Sequence, residues 1–452
     1  MGPRQTTALA ATDIGDILDR GRWTTRQKLL TALAALAVTF DGFDIQILGF
    51  AIPSIMREWH LTRADFAPVL AIGLAGMALG SPLAGYCGDR FGRRIALIGC
   101  VVLFGAATIA TAFSQGLTEL AMLRFLTGMG AGGALPNAGA LAAEFAPQRR
   151  RPVAVTFTIV CVPLGGMIGG VGAAWILPAW GWHNLYVVGG AAPMLLATAL
   201  LWLLPESPRY LARYPARWRE LVRLLSRMGH PVAPGTRFVD ASEQKAERQP
   251  ALKSLLGGDY LRDTVGLWVA FFCSLNGVYL VFGWLPAMLT AQGLDMGTAS
   301  SGLAAYNFGG VLGVVMWAAV VSAVGSRGPL LGGALAAGAS ALALIGLRVQ
   351  PGGGHLLLIA GLGLHGLFVN AVQTTLYALS AHVYPTKVRA SGVAAAAAIG
   401  RMGGIVSSFT GAAIIQAGRD TYLGVLAVCM VGTSLGVALV RKHFRAQEAA
   451  ER

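Results

Sequence analysis

The segment Phe40-Asp-Gly-Phe-Asp-Ile-Gln-Ile-Leu-Gly-Phe-Ala-Ile-Pro53 places two carboxylates, Asp41 and Asp44, inside an apolar run long enough to cross a bilayer. An ionised aspartate at the centre of a membrane helix costs about 2.5 to 3.5 kcal/mol on insertion scales, so such a residue indicates a functional site. At the spacing i, i+3 both side chains lie on one face of a helix and can point into the same cavity. The alternative is that one of them merely caps or pairs with a neighbouring helix.

The whole chain has the composition of a membrane protein. Of its 452 residues, 55% are hydrophobic and only 12% are charged, whereas soluble domains carry about 25% charged residues. We predict an all-α polytopic membrane protein with twelve transmembrane helices. The predicted spans are residues 29–55, 66–87, 94–113, 118–142, 152–175, 183–204, 264–290, 299–322, 329–348, 355–381, 388–415 and 421–441.

A polar stretch rich in Arg, Glu, Gln and Pro separates the first six spans from the last six. The predicted organisation is an N-terminal cytoplasmic segment (1–28), a six-helix bundle (29–204), a cytoplasmic linker (205–263), a second six-helix bundle (264–441) and a cytoplasmic tail (442–452).

The basic residues are distributed unevenly along this topology. If both termini are cytoplasmic, 29 of the 35 Lys and Arg residues lie on the cytoplasmic side, and only Arg57, Arg63, Arg348 and Arg419 lie outside. This asymmetry follows the positive-inside rule, so the net charge of +14 indicates membrane topology and not nucleic-acid binding. We predict a multi-pass protein of a bacterial inner membrane. The five cysteines have no disulfide or metal-ligand spacing, and we expect no metal and no cofactor.

The two halves of the chain repeat one another. The segment from Glu144 to Arg151 matches the segment from His382 to Arg389 at an offset of 238 residues, and the same offset carries Gly128 onto Gly366. At a similar offset, Asp41-Gly42 lies over Asn276-Gly277. Parallel six-helix repeats place a transport site near the midplane, between the two halves.

The segment Gly85-Tyr-Cys-Gly-Asp-Arg-Phe-Gly-Arg-Arg94 resembles the signature loop of the major facilitator superfamily. This resemblance implies a gate at the cytoplasmic ends of the helices, to which the acid near the end of the fourth span, Glu144, contributes. The counterpart in the second half, Val324-Gly-Ser-Arg-Gly-Pro329, lacks the acid, so we expect an asymmetric gate. The predicted gate residues are Gly85, Asp89, Arg90, Arg93, Arg94, Glu144 and Arg389. The alternative for the loop is a plain basic segment that only sets topology.

Four further segments are together similar to the aromatic acid:proton symporter family. They are Asp41-Gly-Phe-Asp44, the stretch from Arg124 to Gly133, the stretch from Tyr384 to Ala390, and Gly400-Arg-Met-Gly403. The resemblance covers essentially the whole chain. It implies proton-coupled uptake of a small aromatic carboxylic acid by alternating access, with Asp41 and Asp44 needed for transport and Arg124 tied to proton transfer. A structural tie between helix ends is the alternative role for Arg124.

Arg401 lies near the middle of the eleventh predicted span, and its planar guanidinium suits a carboxylate. We predict that it binds the acid group of the substrate; a fixed pair with Asp41 or another acid is the alternative. His365 is a further candidate for the site, unless it forms only a helix-to-helix hydrogen bond. The residues predicted as a group to stack on and hydrogen-bond a ring are Phe43, Tyr279, Trp284, Tyr306, Asn307, Asn370 and Gln373.

The sequence is compatible with other functions. Gly128 to Gly133 and Gly361 to Gly366 fit a dinucleotide-binding spacing, and Gly432 to Gly436 fits a nucleophile elbow, but all three lie in apolar spans without a strand. We therefore do not expect an enzyme. The remaining alternatives are a porter for other organic acids, sialic acid or sugars, a drug exporter, and a membrane sensor of aromatic acids that does not transport. We expect a monomer whose partners are protons, the substrate and the lipid bilayer.

Overall fold

The structure of the protein, a computed structural model, describes residues 12–19, 21–233, 236–239, 260–347, 355–384 and 388–444; of Arg389 and Ala390 it describes only the backbone. Within these ranges the chain is almost entirely helical. The helices are α1 Ile14–Asp19, α2 Thr25–Trp59, α3 Arg63–Phe91, α4 Arg93–Thr111, α5 Leu117–Phe145, α6 Arg151–Leu203, α7 Pro208–Ala212, α8 Trp218–Arg227, α9 Leu261–Ala291, α10 Met296–Val324, α11 Arg327–Ile345, α12 Leu356–Val383, α13 Arg389–Gln416 and α14 Arg419–Leu439. Two short strands, β1 Thr12–Asp13 and β2 Phe238–Val239, complete the fold.

The described helices make twelve membrane crossings. Ten segments are long and apolar enough to cross a membrane, and one of them, Gln148–Leu203, has 56 residues, which is twice the length of a span. This segment contains α6, which is broken at Gly181, where φ is 75°, so it crosses twice. The twelfth crossing is α5, whose 29 residues extend about 43 Å. The predicted twelve-helix membrane fold is confirmed.

Helix α2, which carries the aspartate pair, has clear ends. At its start the Thr24 hydroxyl accepts the backbone N–H of Gln27, and the Gln27 side chain accepts the backbone N–H of Thr24 at 2.9 Å. This capping box satisfies amide groups that the first helical turn leaves free. At its end, His60 has a left-handed conformation with φ of 54°, which stops the helix after Trp59.

The helices form two bundles, α2 to α6 and α9 to α14, whose internal packing repeats. A Cβ atom added at Gly128 would lie 2.1 Å from the carbonyl oxygen of Gly73, and one added at Gly366 would lie 1.9 Å from that of Tyr306. These two glycines are equivalent in the repeat. The contact between α3 and α5 in the first bundle therefore matches the contact between α10 and α12 in the second, and in both the two backbones touch directly. In both glycine-rich segments the glycine therefore permits close helix packing.

The two bundles touch at one side of the membrane and separate at the other. We call the side with residues 21–24, 205–233 and 441–444 the terminal face, and the opposite side the distal face. In the distal halves of the helices, Gly49 of α2 packs against Phe282 of α9, and Gly170 of α6 packs against Ala304 of α10. Toward the terminal face, a cavity of about 380 Å³ separates Thr156 of α6 from α10 and α12. The interface is therefore closed distally and splayed at the terminal face.

The terminal face of the first bundle carries a small folded unit. Strand β1 pairs in parallel with β2, and Ile14 and Leu18 of α1 are buried in one apolar cluster with residues of α7 and α8. Asp19 forms ion pairs with Arg151, at the start of α6, and with Arg209 of α7, the latter at 3.3 Å. Part of the segment and linker predicted from polarity alone is thus folded, while residues 240–259 lie outside the described ranges.

Candidate functional site

Asp44 is held by a buried ion pair inside the first bundle. Its Oδ2 atom accepts from Nη2 of Arg124 at 3.0 Å, and its Oδ1 atom accepts from the hydroxyl of Thr108 at 2.6 Å. Arg124 also donates to the Asp44 carbonyl oxygen at 3.3 Å and to the Thr127 hydroxyl at 2.9 Å. Asp44 and Arg124 are 3% and 5% exposed. Because both carboxylate oxygens accept hydrogen bonds from α4 and α5, this arrangement fits an ionised aspartate.

Asp41 lies one turn earlier on α2 and differs sharply from Asp44. It is 1% exposed, and its Oδ1 atom is buried without a hydrogen-bond partner. An unpaired ionised carboxylate is very costly to bury, so this side chain is the one best placed to hold a proton.

Arg401 of α13, in the other bundle, is a positive charge that acts on Asp41. The two form no ion pair within 4.0 Å, and Arg401 makes no hydrogen bond to any residue within the described ranges. The guanidinium is partly exposed, and its charge also acts on Tyr279 and Tyr377. A cation and a carboxyl group from different bundles thus act on each other, and neither has a direct partner among the described residues.

A narrow cavity of about 50 Å³ lies beside the Asp44–Arg124 pair. It is bounded by both bundles, with Tyr279 and Phe282 from α9 and Ser408 from α13 opposite Asp44. A cavity that holds a benzene ring measures about 150 Å³. The space beside Asp44 therefore accommodates water and not an aromatic ring while the distal side is closed.

The bundles are joined by a buried pair of amides. Asn307 of α10 donates from Nδ2 to Oε1 of Gln46 at 2.7 Å, and Gln46 of α2 donates from Nε2 to Oδ1 of Asn307 at 3.2 Å. Both side chains are fully buried. No other side-chain hydrogen bond between two described residues joins the two bundles. Asn307, predicted to bind the ring, is thus occupied by Gln46 in this conformation.

The remaining predicted ring-binding residues do not converge on one surface. Tyr279 lines the cavity beside Asp44. Gln373 accepts from the Ser274 hydroxyl at 2.5 Å, and its Nε2 atom is buried without a partner. The others pack away from the cavity beside Asp44: Trp284 against Gly411, Tyr306 between the rings of Phe282 and His365, Asn370 against Gly310, and Phe43 against Gly169 and Gly189.

His365 is part of a contact within the second bundle. Its Nδ1 atom lies 3.0 Å from the hydroxyl of Ser340 and 3.1 Å from the carbonyl oxygen of Ala337, both on α11. The ring is buried and does not line any of the cavities described above or below. Its contacts are those of the alternative considered from the sequence, a hydrogen bond between helices.

Three of the predicted gate residues, Asp89, Arg93 and Glu144, form a cluster at the terminal face of the first bundle. Arg93 donates to Asp89 at 2.5 Å and lies 3.9 Å from Glu144, which accepts from the Ser207 hydroxyl. Arg90 donates to the Tyr86 hydroxyl at 2.6 Å. Gly92, with φ of 110°, makes the turn between α3 and α4, whereas Gly85 lies within α3 with no atom nearby to demand a glycine. The side chain of Arg389 lies outside the described residues.

Sequence reasoning missed several partners in these clusters. Glu206, after the end of α6, accepts the backbone N–H of Arg94 in the first turn of α4 at 3.1 Å. Gln46 could have been found by the rule that singled out Asp41, since it is a polar side chain within the same span. Thr108 carried no such signal, because a lone threonine in an apolar helix usually bonds to its own backbone.

Comparison with known proteins adds to this geometry. The sequence model of the Major Facilitator Superfamily matches residues 34–408. A gallate transporter of Pseudomonas putida is 35% identical over 409 residues, covering 90% of each chain. The 4-hydroxybenzoate transporter PcaK of Acinetobacter baylyi is 34% identical over 401 residues, covering 88% of this chain and 86% of the relative. The inward open conformation of the xylose transporter XylE from E. coli has the same fold, with a TM-score of 0.72 at 18% identity over 94% of this chain and 98% of that one.

Proposed function

The chain belongs to the Major Facilitator Superfamily, and from that premise we propose that it takes up an aromatic carboxylic acid together with protons by alternating access. The chain is a multi-pass membrane transporter and not an enzyme. The substrate class is supported by relatives named as transporters of gallate, 4-hydroxybenzoate and benzoate, at 27% to 35% identity.

The observation that carries the proton-coupling proposal is the contrast between the two buried acids. Asp44 has Arg124 and Thr108 as partners, whereas Asp41 has no partner in the described part of the chain and feels the charge of Arg401 from the other bundle. A protonated Asp41 leaves Arg401 free to hold the substrate carboxylate. When Asp41 loses its proton, its charge competes with the substrate for Arg401, which favours release. Proton binding and anion binding are thereby linked through one guanidinium.

Asp44 and Arg124 act in this proposal as a second proton site. The pair is intact in the conformation that is closed distally, so proton loss from Asp44 accompanies that conformation. When the distal side is open, protonation of Asp44 would break the ion pair and leave the Arg124 guanidinium without a counter-charge. Loss of that proton toward the terminal face, after distal closure, would restore the pair.

We further propose that the terminal face is cytoplasmic and that the membrane is the inner membrane of a bacterium. The excess of Lys and Arg in the segments at that face supports this orientation. The conformation is then inward-open, with the Gln46–Asn307 pair and the glycine contacts closing the outer side. The cluster of Asp89, Arg93 and Glu144 belongs to the inner gate, and we propose that the transporter works as a monomer.

The test is substrate-dependent proton movement in proteoliposomes. With an inward proton gradient, labelled gallate, 4-hydroxybenzoate or benzoate should accumulate, and each should raise the internal proton load. If xylose accumulated and none of the aromatic acids did, the proposed substrate class would be wrong and the substrate would be a sugar. If an aromatic acid bound saturably but was not transported, the proposed transport function would be wrong and the protein would be a sensor.

A further inference from the structure

A second cavity lies at the distal face, where the ends of the two bundles meet. Its volume is about 400 Å³, and we call it the outer vestibule. The first bundle contributes Arg57, from the last turn of α2, and Arg63, the first residue of α3; the second contributes Asp295, the residue before α10. Since a cavity of about 150 Å³ holds benzene, this one has room for a substituted ring with its first waters.

The two arginines face this cavity without a counter-ion. Neither forms an ion pair within 4.0 Å with a carboxylate in the described part of the chain, and the Nε atom of Arg63 is buried with no hydrogen-bond partner. Arg57 uses its Nε atom to donate to the carbonyl oxygen of Pro53 at 3.3 Å, which leaves its terminal nitrogens available.

Nearby acids already have other partners. Glu58 accepts from the Trp182 indole at 2.7 Å and lies 3.7 Å from His183. Asp65 accepts from the backbone and hydroxyl of Thr62, at 2.8 and 2.7 Å.

Asp295 is the one acid that lines the vestibule, and it is committed to its own helix. It accepts from the Thr298 backbone at 2.9 Å and from the Thr298 hydroxyl at 2.6 Å. These hydrogen bonds, first that of the Thr298 side chain, lower the pKa of Asp295, so it stays anionic. The cavity therefore presents two guanidiniums against one fixed carboxylate.

The other walls are apolar. Met56 and Leu61 from the first bundle face Leu294 and Met296 from the second. The flexible methionine side chains and the two leucines can adapt to the flat ring of a ligand. The guanidinium groups of the arginines, at one wall, can bind the carboxylate of the same ligand.

We propose that the outer vestibule is a capture site for an aromatic monocarboxylate, which Arg57 and Arg63 hold by its carboxylate before the bundles part. The inference deepens the proposed function, on which it rests for the identity of the anion. Two guanidiniums that line an open cavity, one exposed and one half-buried, attract anions over a Debye length and raise the rate of encounter, an effect that salt screens.

The experiment compares Arg57→Gln/Arg63→Gln with Asp295→Asn in the full chain. Asparagine caps a helix as well as aspartate, so the second variant removes the charge and keeps the cap. For 4-hydroxybenzoate uptake at low ionic strength, the double arginine variant should raise KM about tenfold and lower the maximal rate by less than about threefold. Asp295→Asn should lower KM about threefold, because the competing charge is gone.

Salt separates this electrostatic effect from a structural one. The KM of the wild type should rise between 20 and 300 mM salt, about fivefold, and that of the arginine variant should stay nearly constant. A KM within about twofold of wild type for the arginine variant at low salt would refute the capture site. An increase in KM for Asp295→Asn as well would refute it too, since disturbance of the fold would then explain both.

Equilibrium binding of 4-hydroxybenzoate to the purified chain distinguishes this inference from the proposed function. Binding to the wild type that Arg57→Gln/Arg63→Gln weakens about tenfold would support the capture site, even if the wild type showed no uptake. In that case only the transport proposal would be lost.

Discussion

The two bundles share one repeat but differ in the ionisable groups that they place near the interface. In the first bundle α2 carries Asp41 and Asp44, the latter paired with Arg124 of α5. The residue that corresponds to Asp41 in the second bundle is Asn276, which donates to the carbonyl oxygen of Gly403 at 3.1 Å and accepts weakly from Cys429. The first bundle therefore holds groups whose charge can change, while Asn276 is a neutral tie between α9 and α13. In the proposed function, proton handling therefore lies in the first half of the duplicated scaffold, and Arg401, the arginine proposed to bind the anion near the midplane, lies in the second.

Asp41→Asn gives the strongest test of this division. Asparagine cannot carry a proton, so accumulation driven by a proton gradient should fall about 100-fold or more, while exchange of substrate across the membrane persists. Uptake and counterflow in the same proteoliposomes measure the two activities. Asp41→Asn/Asn276→Asp, which moves the acid to the equivalent position of the second bundle, should not restore accumulation. If it did, the location of the acid would be unimportant and the comparison between bundles would fail.

Arg401→Lys tests the anion-binding half. Lysine keeps the charge but loses the planar fork, so we expect the Kd for the substrate to rise about tenfold, equal to about 1.4 kcal/mol. Titration calorimetry on the purified chain measures this change. Arg419→Lys is the matched control, because that side chain donates to the carbonyl oxygen of Leu344 away from the cavity beside Asp44, and its Kd should match the wild type. Equal Kd values for all three proteins would remove Arg401 from the substrate site.

The amide pair at the interface allows a test of how the bundles are held together. Gln46→Leu leaves the Asn307 amide buried without its partner, a penalty of about 1 to 3 kcal/mol that falls on the distally closed state alone. We expect the population open at the distal face to increase accordingly, as measured by distances between spin labels at the distal ends. In the double variant Gln46→Leu/Asn307→Leu, much of the population that is closed at the distal face should be restored relative to Gln46→Leu, because two apolar side chains leave no polar atom unpaired. A double variant as open as the single one would show that the pair does not act as a unit.

The smallest effect is expected at the terminal face of the first bundle. Asp19→Asn removes the carboxylate shared by Arg151 and Arg209, and a partly exposed ion pair contributes about 0.2 to 1 kcal/mol. The Tm should fall by about 1 to 2 °C in a thermal-unfolding scan. Glu220→Gln, which removes an exposed ion pair between Glu220 of α8 and Arg217 just before that helix, should leave the Tm unchanged. A larger fall in Tm for Glu220→Gln than for Asp19→Asn would mean that the exposed ion pair stabilises the folded unit more than Asp19 does.

The fold was predictable from the sequence because it follows from hydropathy, glycine spacing and the repeat. The predicted equivalence of Gly128 and Gly366 carries over directly to two matching backbone contacts. The candidate site was predictable only in part. Spacing alone placed Asp41 and Asp44 on one helical face, but side chains three positions apart differ by about 60° around the axis. That rotation was enough to direct Asp44 to α4 and α5 and to leave Asp41 without a partner.

Contacts between the bundles could not be read from the sequence. Gln46 and Asn307 are 261 positions apart, and their pairing depends on the register of one bundle against the other. The ring-binding set failed to converge for the same reason, since the direction of Trp284 or Phe43 is set by how each helix is rotated. Residues 12–19 were predicted as part of a polar tail, because a six-residue helix has too few turns for its apolar face to be recognised.

The Gln46–Asn307 pair has a consequence for the energy of the transport cycle. When the distal side opens, water replaces each amide partner, and the net cost of such an exchange is only about 0.5 to 1.5 kcal/mol per hydrogen bond. Thermal motion can break a hydrogen-bonded pair of this kind, and the pair can form again without an external energy source. The carrier can therefore run in either direction, and the direction of net flux is left to the gradients on the two sides of the membrane.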